Sequence, residues 1–545
     1  MALRKIISEH KWLILILLLA SLFRLYGLQF GLPYQYHPDE VKYVILALKV
    51  GAVGLNVGYF DNPTGYVYLL FFEYGFLYLI GRLLSIFHST KDLAILYYQN
   101  PTIFYLLGRI TTLIFGVGTV WLTYAIGKKS FNRTVGLIAA LFLACSFGHI
   151  RDSHFAVPDI SMVFLLMLSF YFIVQFWFAE KKSKPFLLLS AGVAGVAIGF
   201  KYTAGLILVP LILAMIFQRK KLGDKLKIQV FWFFGFLVLS LLGFLIVCPY
   251  ALLDFPKFWA GIKNLQYMDK TGHFGLDPSV NGYLFYIQSL SWQLGWLICI
   301  IGVIGIGFTF YKYKLFAIIL CTFPILFYLF MGNSKLVYDR FMLPVLPFIA
   351  ISSSVLLINL IEKIKGYRIL TPMLTIICIM QPLVYATYSD YLLTQKDTRT
   401  IAKEWIEQNI PSGANFVMEG YGPPLTANRE YLQNWLPREI ISEPYLVTQL
   451  PTKGAAIYPL SYYREQGYDY LIIASYTYLR YWVRPELNPE AIEFYQSLPQ
   501  ETKLTISFIP YRNELIPEPQ LETFPTDRLF QRIRPGPIIL IYALK

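Results

Sequence analysis

The chain has 545 residues, of which 56% are hydrophobic and only 15% are charged. Ordinary soluble domains contain about 25% charged residues, and the mean hydropathy here is +0.52. This composition excludes a disordered chain, a fibrous repeat and a soluble multidomain enzyme, and it predicts a polytopic membrane protein. The net charge of +14 does not indicate nucleic-acid binding, because membrane proteins collect Lys and Arg in their cytoplasmic loops.

Eleven apolar runs are long enough to cross a hydrocarbon core of about 30 Å. They begin near Trp12, Pro101, Thr134, Asp159, Phe186, Tyr202, Gln229, Ser291, Leu315, Phe341 and Ile369. A further apolar stretch, residues 64–87, is ambiguous. If it does not cross, five clusters of Lys and Arg fall on the side of the N-terminus, as the positive-inside rule favours. We therefore predict eleven spans in the cell membrane, a cytoplasmic N-terminus, and a surface-lying or dipping segment at residues 64–87.

This topology divides the chain into two domains. Residues 1–390 form the predicted transmembrane domain, with long outer loops at residues 24–100 and 249–290. Residues 391–545 form a predicted extracytoplasmic α/β domain, in which Asp397 or Thr398 caps a helix that ends before Pro411. Strands are predicted at residues 415–418, 470–474, 504–509 and 538–542, with a helix at 489–498. The tail has no catalytic motif, so we expect a recognition module.

Five short polar segments fall on the outer side of the membrane under this topology. They are residues 36–40, 151–159, 199–203, 248–254 and 334–347. Because charge in a membrane protein occurs mainly where it is used or solvated, their convergence on one face predicts a site for chemistry on a membrane-held substrate. The five cysteines show no paired spacing and predict neither a disulfide framework nor a zinc site.

The charged residues in these segments also have structural interpretations. Asp39 and Glu40 follow Pro38 and would be first-turn acids that the helix dipole favours. In the same way, Asp159 would cap a helix, His154 would make an interfacial hydrogen bond and Lys201 would snorkel at a helix end. Arg340 would pair only with Asp339 or with a backbone carbonyl.

Taken in order, the polar motifs resemble those of a GT-C-fold glycosyltransferase, nearest to family 39. That family includes the dolichyl-phosphate-mannose–protein mannosyltransferases and the lipid A aminoarabinose transferases. The resemblance covers roughly residues 12–390 and rests on His37-Pro-Asp-Glu40, Arg151-Asp-Ser-His154, Pro158-Asp159, Lys201-Tyr-Thr203, Pro249-Tyr250, Asp254, and Arg340 ahead of two prolines.

The resemblance implies a polyprenyl-phosphate-linked sugar donor and a catalytic acidic pair, Asp39 and Glu40. It implies a second outer-loop acid, which matches Asp152 or Asp159 and lies near His154. Many members have a His-Pro-Pro stretch after the acids where this chain has Asn62-Pro-Thr64, so a protein, a lipid and a glycan all stay open as acceptors.

The chemistry of such a transfer suggests a role for each candidate. A phosphate leaving group needs cationic stabilisation, for which Arg340, Lys335 and Lys201 are candidates. An acceptor hydroxyl needs a base, and we assign this role to Asp39, with Glu40 positioning the acceptor or a cation. One base and one leaving group on opposite faces of the sugar imply inversion. Further site candidates are His37, Tyr202, Tyr250 and Asp254. The sequence predicts no certain cofactor and leaves a divalent metal open.

Three other functions are alternatives to sugar transfer from a polyprenyl-phosphate-linked donor. An oligosaccharide ligase or oligosaccharyltransferase would use a diphosphate-linked donor. A lipid or glycan transporter would predict inverted repeats and charged or broken spans near the membrane midplane, whereas no repeat is visible here. A non-catalytic scaffold would explain the tail but not the acidic outer loops.

Overall fold

The computed structural model describes residues 2–179, 184–222, 226–364, 366–425, 444–512 and 528–544. Helices make up the described chain as far as Leu393. They are α1 Ala2–Leu25, α2 Pro38–Val53, α3 Gly65–Leu83, α4 Thr90–Gln99, α5 Thr102–Ser130, α6 Arg133–Ala144, α7 Phe147–Asp152, α8 Pro158–Phe178, α9 Lys184–Ile198, α10 Leu208–Leu222, α11 Leu226–Val247, α12 Tyr250–Leu253, α13 Phe255–Thr271, α14 Gly282–Gln293, α15 Trp296–Gly332, α16 Leu346–Ile361 and α17 Tyr367–Leu393.

A helix lies at each of the eleven predicted span positions. The 3₁₀ turns Tyr202–Ile207 and Asp339–Val345 lead into α10 and α16. The predicted break before Leu315 is confirmed, since α15 is interrupted at Lys314, where φ is 37°. This break divides α15, which is 37 residues long, into two segments.

Seven helical stretches in the described residues are long and apolar enough to cross a membrane. They are Gly65–Leu83, Thr102–Ser130, Pro158–Phe178, Val230–Val247, Trp296–Gly332, Asp339–Ile361 and Arg368–Asn409. Three further predicted spans are apolar but shorter, namely Arg133–Ala144, Lys184–Ile198 and Tyr202–Gln218. The predicted class, a helical multi-pass membrane protein, is confirmed.

Small residues let the transmembrane helices approach closely. The helix α9 lies between α8 and α11, and α16 packs against α15 and α6. A side chain at Gly195 of α9 would lie 1.9 Å from the carbonyl oxygen of Ser240 in α11. Glycine is therefore required at this crossing, where backbone packing replaces the hydrophobic effect that lipid does not supply.

The ambiguous apolar stretch forms α3, which lies beside the first turns of α5. The Tyr66 hydroxyl is 3.0 Å from the Thr112 hydroxyl, and the Tyr74 hydroxyl donates to the Phe104 carbonyl at 3.2 Å. The amide of Gly65 donates to the carbonyl of Gly199 at 2.8 Å, at the end of α9. The first half of α3 therefore contacts the first three turns of α5 and the end of α9.

The tail contains a five-stranded sheet flanked by helices, as the α/β prediction required. Its strands are β1 Asn415–Met418, β2 Leu446–Gln449, β3 Tyr470–Ala474, β4 Lys503–Phe508 and β5 Ile539–Ala543, and its helices are α18 Thr398–Asn409, α19 Leu460–Glu465, α20 Ser475–Tyr478 and α21 Pro489–Glu501. The order is β2-β1-β3-β5-β4; β2 and β3 pair with β1 in parallel, while β5 runs antiparallel to β3 and β4. Asp397 caps α18. The strand β2 was not predicted.

Candidate active site

The first outer loop leads into α2 through a compact N-terminal cap. Pro38 occupies the first turn, and the Nδ1 atom of His37 accepts a hydrogen bond from the amide of Glu40. The His37 ring stacks on Phe155 with centroids 4.4 Å apart, and burial lowers the pKa of His37, which leaves Nδ1 free to accept. His37 is therefore a helix cap, and it fixes where the adjacent Asp39 and Glu40 point.

Glu40 is completely enclosed. Its carboxylate receives two hydrogen bonds from Arg109, each 2.8 Å long, and one of 2.7 Å from the amide of Ala156. Both side chains of this ion pair are only 1% exposed. Arg109 also donates to the carbonyls of Leu28 and Phe30. Glu40 therefore ties α2, α5 and the outer loops together, which corrects the expectation that it assists beside Asp39.

Asp39 points to a different neighbour and stays accessible. Its carboxylate lies 2.9 Å from Nη1 of Arg340, and the two side chains are 35% and 26% exposed. Burial alone would raise the pKa of Asp39, but the positive charge and hydrogen bond of Arg340, together with the charges of His37 and Lys42, outweigh burial and hold this pKa below its ordinary value. The structure therefore brings the predicted base and the predicted phosphate-binding cation into direct contact.

Arg340 is positioned by the 3₁₀ turn that precedes α16. Its amide donates to Asp339 at 2.7 Å, and its guanidinium lies 5.1 Å from the centroid of the Tyr338 ring. The structural interpretation that paired Arg340 with Asp339 is wrong for the side chain, because the Asp339 carboxylate is bound to Arg151 at 2.6 Å.

The second outer-loop acids are both engaged in ion pairs. Asp152 lies 2.6 Å from Arg151, which thus bridges Asp152 and Asp339. Burial and the negative charges of Asp339 and Asp159 raise the pKa of Asp152, although Arg151 opposes this. Asp159 pairs with Lys201 at 2.5 Å, so Lys201 does not snorkel, and its ammonium group lies 4.4 Å from the centroid of the Phe341 ring. These pairs surround the turn that carries Arg340.

Two predicted site residues make their contacts elsewhere. The ring nitrogens of His154 lie 3.0 Å from the carbonyl oxygen of Ile150 and 2.9 Å from that of Tyr26. His154 therefore joins α7 to the end of α1 as a buried interfacial histidine. Lys335 is exposed, and its amide donates to the carbonyl of Asp269. Its described contact is therefore with the long outer loop of residues 249–290.

The remaining three candidates hold the segment of residues 54–64. The Tyr202 hydroxyl donates to the carbonyl of Phe60 at 2.9 Å, and Tyr250 packs in the same cluster as Phe60. Asp254 accepts a hydrogen bond of 2.7 Å from Asn56. Each of these contacts fixes the first outer loop against the ends of α9 and α11.

Sequence reasoning missed several charged residues around the site. Arg109 was overlooked because it lies within an apolar span, although an arginine in such a span is itself a signal of function. Lys42 follows Asp39 by one turn, and its ammonium group lies 3.8 Å from the ring centroid of Tyr59 and is bonded to the Tyr59 hydroxyl. Within the described ranges, no group of three or more His, Cys, Asp or Glu side chains is arranged to hold a metal ion.

Sequence comparison finds two similarities to known proteins. A model of the dolichyl-phosphate-mannose-protein mannosyltransferase family matches residues 105–250. Over 146 residues the chain is 32% identical to dolichyl-phosphooligosaccharide-protein glycotransferase 2 of Pyrococcus furiosus, a match that covers 26% of this chain and 18% of that relative. The chain thus spans less than a fifth of the relative's length, and neither Asp39 nor Arg340 lies in the family match.

Solved structures resemble most of the chain. The oligosaccharyltransferase of Archaeoglobus fulgidus in its apo form matches with a TM-score of 0.56 and 12% identity, covering 89% of this chain and 72% of that one. ArnT from Cupriavidus metallidurans bound to undecaprenyl phosphate matches with a TM-score of 0.50 and 11% identity, covering 98% of both chains. The chain has the GT-C fold. The fold that the outer-loop motifs implied is therefore confirmed, and this GT-C protein is a multi-pass membrane protein.

Proposed function

We propose that this GT-C protein transfers a sugar from a polyprenyl-phosphate-linked donor to a hydroxyl acceptor at the outer face of the cell membrane, with inversion. The observation that carries the proposal is the accessible ion pair of Asp39 and Arg340. The surrounding pairs of Arg151 with Asp152 and of Lys201 with Asp159 are largely buried. A reacting substrate therefore meets one carboxylate and one guanidinium side by side.

Arg340 is the proposed ligand of the donor phosphate. Its guanidinium has several N–H donors in a planar fork that matches two phosphate oxygens, and its contact with Asp39 occupies only part of that fork. The phosphate competes with Asp39 for Arg340, so donor binding frees the Asp39 carboxylate. Lys201 stays with Asp159 and contributes positive charge nearby.

Asp39 is the proposed general base. Once freed, its carboxylate accepts the proton of the acceptor hydroxyl while that oxygen forms a bond to the anomeric carbon. The bond from this carbon to the phosphate oxygen breaks, and the charge that develops on the lipid phosphate is stabilised by Arg340. A single displacement inverts the anomeric configuration, and the proton remains on Asp39 until the product leaves.

The proposed topology places this site outside the cytoplasm. It comprises eleven spans over residues 1–390, outer loops at 24–100 and 249–290, and an extracytoplasmic domain at 391–545. The distribution of basic residues supports the assignment, because five clusters of Lys and Arg fall on the side of the N-terminus when α3 does not cross.

A diphosphate-linked oligosaccharide donor is the second candidate. The similarities to an oligosaccharyltransferase structure and to a dolichyl-phosphooligosaccharide-protein glycotransferase favour it. A transporter function has less support, because the pairs of Asp39 with Arg340, Arg151 with Asp152 and Lys201 with Asp159 lie at helix ends and in connecting turns, whereas a transporter places its charges near the midplane.

The deciding experiment combines donor identification with turnover. Mass spectrometry of lipid bound to the purified protein separates a single sugar on a monophosphate from a glycan on a diphosphate. The purified protein is then incubated with the identified donor and with a membrane extract that supplies acceptors, and release of the lipid phosphate is compared between wild type and Asp39→Asn. Equal release by both proteins would contradict the proposed role of Asp39, and no release by either would contradict the proposed activity.

A further inference from the structure

The strand order of the tail sheet places a topological switch point at β1. The strand β1 lies between two parallel neighbours, β2 and β3. The strand that follows β1 in the chain, β2, lies on one side of β1, and the next strand, β3, lies on its other side. Where connections diverge in this way, a crevice forms outside the carboxyl ends of the strands, and ligands bind there in open α/β sheets. The crevice here lies between the carboxyl ends of β1 and β3.

Aromatic and basic side chains line this crevice. Tyr421 follows β1 and Tyr476 follows β3, and their rings meet edge to face with centroids 5.7 Å apart. Arg480 donates to the Tyr421 hydroxyl at 3.0 Å. Tyr421 has a φ of 64°, in the left-handed region that bulky residues rarely adopt. Such strain persists where the surrounding structure holds a side chain in place, and it clusters at ligand sites.

A buried acid fixes the floor of the crevice. Glu419, at the end of β1, accepts hydrogen bonds from the amides of Ala455 and Ala474 and from the Tyr495 hydroxyl. Its side chain is fully buried, so it joins the ends of β1 and β3 rather than meeting a ligand. The groups that the crevice offers are therefore aromatic faces, hydroxyls and one guanidinium.

The crevice lies beside the candidate active site. The stem of Arg480 packs on the long outer loop of residues 249–290, where a methyl group at Gly275 would lie 2.7 Å from the Arg480 Cγ. Tyr338 immediately precedes the turn that carries Arg340, and the Arg340 guanidinium lies 5.1 Å from the centroid of its ring.

The tail is also fixed to the first outer loop. The Arg399 guanidinium lies 3.9 Å from the ring centroid of Tyr36, and the Tyr36 hydroxyl lies 2.6 Å from that of Thr400. Tyr36 immediately precedes the cap of α2, which carries Asp39. The tail therefore contacts the loop that carries Asp39.

We propose that Tyr421, Tyr476, Arg480 and Tyr338 form a carbohydrate-binding wall that holds a sugar-bearing acceptor, a glycan or the sugar headgroup of a glycolipid, against Asp39. The proposal rests on the proposed function and names its acceptor class. The electron-rich faces of tyrosine attract the partly positive C–H groups of a sugar ring, while hydroxyl and guanidinium groups bond to sugar oxygens. A peptide that added to the sheet would use its outer strands, β2 and β4, and not this crevice.

Saccharide binding to the purified full chain tests the proposal. The probes are methyl α-mannoside, the disaccharide of N-acetylglucosamine and a lipid-free glucosamine disaccharide, with a short peptide rich in serine and threonine for comparison. Saturation-transfer NMR should detect saturable binding of at least one saccharide. Tyr421→Ala and Tyr476→Ala should each weaken it about three- to tenfold, as expected for loss of an aromatic contact.

Three comparisons separate a binding wall from a structural role. Tyr421→Phe and Tyr476→Phe keep the ring faces and should retain most saccharide binding. Tyr468→Ala, at the amino end of β3, is the matched control and should bind saccharide like wild type. Polyprenyl phosphate should bind unchanged in all these variants.

Two results would overturn the carbohydrate wall. One is wild-type saccharide binding in both alanine variants, and the other is binding of the peptide with none of the saccharides. Failure of the proposed function is a separate outcome, since it would appear as no release of lipid phosphate by the wild-type protein.

Discussion

The carboxylate of Asp39 lies 2.9 Å from the guanidinium of Arg340, which joins the start of α2 to the turn before α16. The next residue, Glu40, turns inward and is held by Arg109 with 1% exposure. Successive residues on a helix point about 100° apart, so two adjacent acids acquire unrelated roles. The accessible acid is proposed to do chemistry, and the enclosed acid holds the loop that carries it.

Asp39→Asn should abolish most turnover while leaving the protein folded. A general base contributes roughly 10²–10⁴-fold to a rate, and the substitution is nearly isosteric at a partly exposed position. We expect the rate of lipid-phosphate release to fall by that factor, while the midpoint temperature of thermal unfolding stays unchanged. Asp254→Asn, which alters another outer-loop carboxylate, is the matched control and should retain turnover. Turnover by Asp39→Asn at the wild-type level would remove Asp39 from the mechanism.

Arg340→Ala should weaken donor binding about ten- to a hundredfold, since a hydrogen bond to a charged group is worth roughly 1.5–3 kcal/mol. Equilibrium binding of the polyprenyl-phosphate sugar measures the effect. Arg484→Ala, which removes an exposed arginine of the tail, is the control. Donor affinity that is the same in Arg340→Ala and wild type would assign Arg340 to structure alone.

The acid limb of the pH–rate profile should move when Arg340 is replaced. In the wild type, Arg340 holds the pKa of Asp39 below its ordinary value against the effect of burial, so the base stays ionised into the acid range. Without that charge burial dominates and the pKa rises, so residual kcat/KM for the acceptor in Arg340→Ala should fall at a higher pH. Arg340→Lys keeps the charge and should show a smaller displacement. An identical acid limb in all three proteins would contradict Asp39 as the base.

Glu40→Gln should destabilise the protein, in contrast to Asp39→Asn. Removing one partner of a buried ion pair leaves the other charge uncompensated, at a cost of about 3–5 kcal/mol. The midpoint temperature of thermal unfolding in detergent should be markedly lower for Glu40→Gln than for the wild type. The control is Glu486→Gln, which breaks an exposed ion pair with Arg484. Because such a pair stabilises a protein by at most about 1 kcal/mol, this variant should unfold at the temperature of the wild type. Equal stability of both variants would refute the structural role of Glu40.

Residues 88–100 should lie on the same side of the membrane as the tail. In a chain free of its native cysteines, Lys91→Cys and Thr452→Cys should react with an impermeant thiol reagent added from outside. Lys129→Cys, at the other end of α5, should react only after permeabilisation. Leu55→Cys, which precedes α3 and is exposed, should also react from outside. Labelling of only one of Leu55→Cys and Lys91→Cys would show that α3 crosses the membrane and would overturn the eleven-span topology.

The fold was predictable to a large extent because its signals are local. Apolar runs located the helices, and the break at Lys314 falls where two predicted spans meet. In the tail, Asp397 caps α18 as predicted, and four of the five strands lie where alternating or apolar runs placed them. The fifth, β2, is an edge strand with mostly exposed residues, so its hydrophobic pattern is weak.

The sequence alone determined that this is a helical membrane protein with an α/β tail, and it identified the charged residues at the helix ends. Those properties depend on hydropathy, capping and charge over a few neighbouring residues. Only the tertiary structure decided which charges pair: Asp39 with Arg340, Glu40 with Arg109, and Asp159 with Lys201. Each pair joins helices that are distant in the chain, and the partner depends on which helix ends the packing brings together. An ion pair between such elements leaves no periodic signal in either segment.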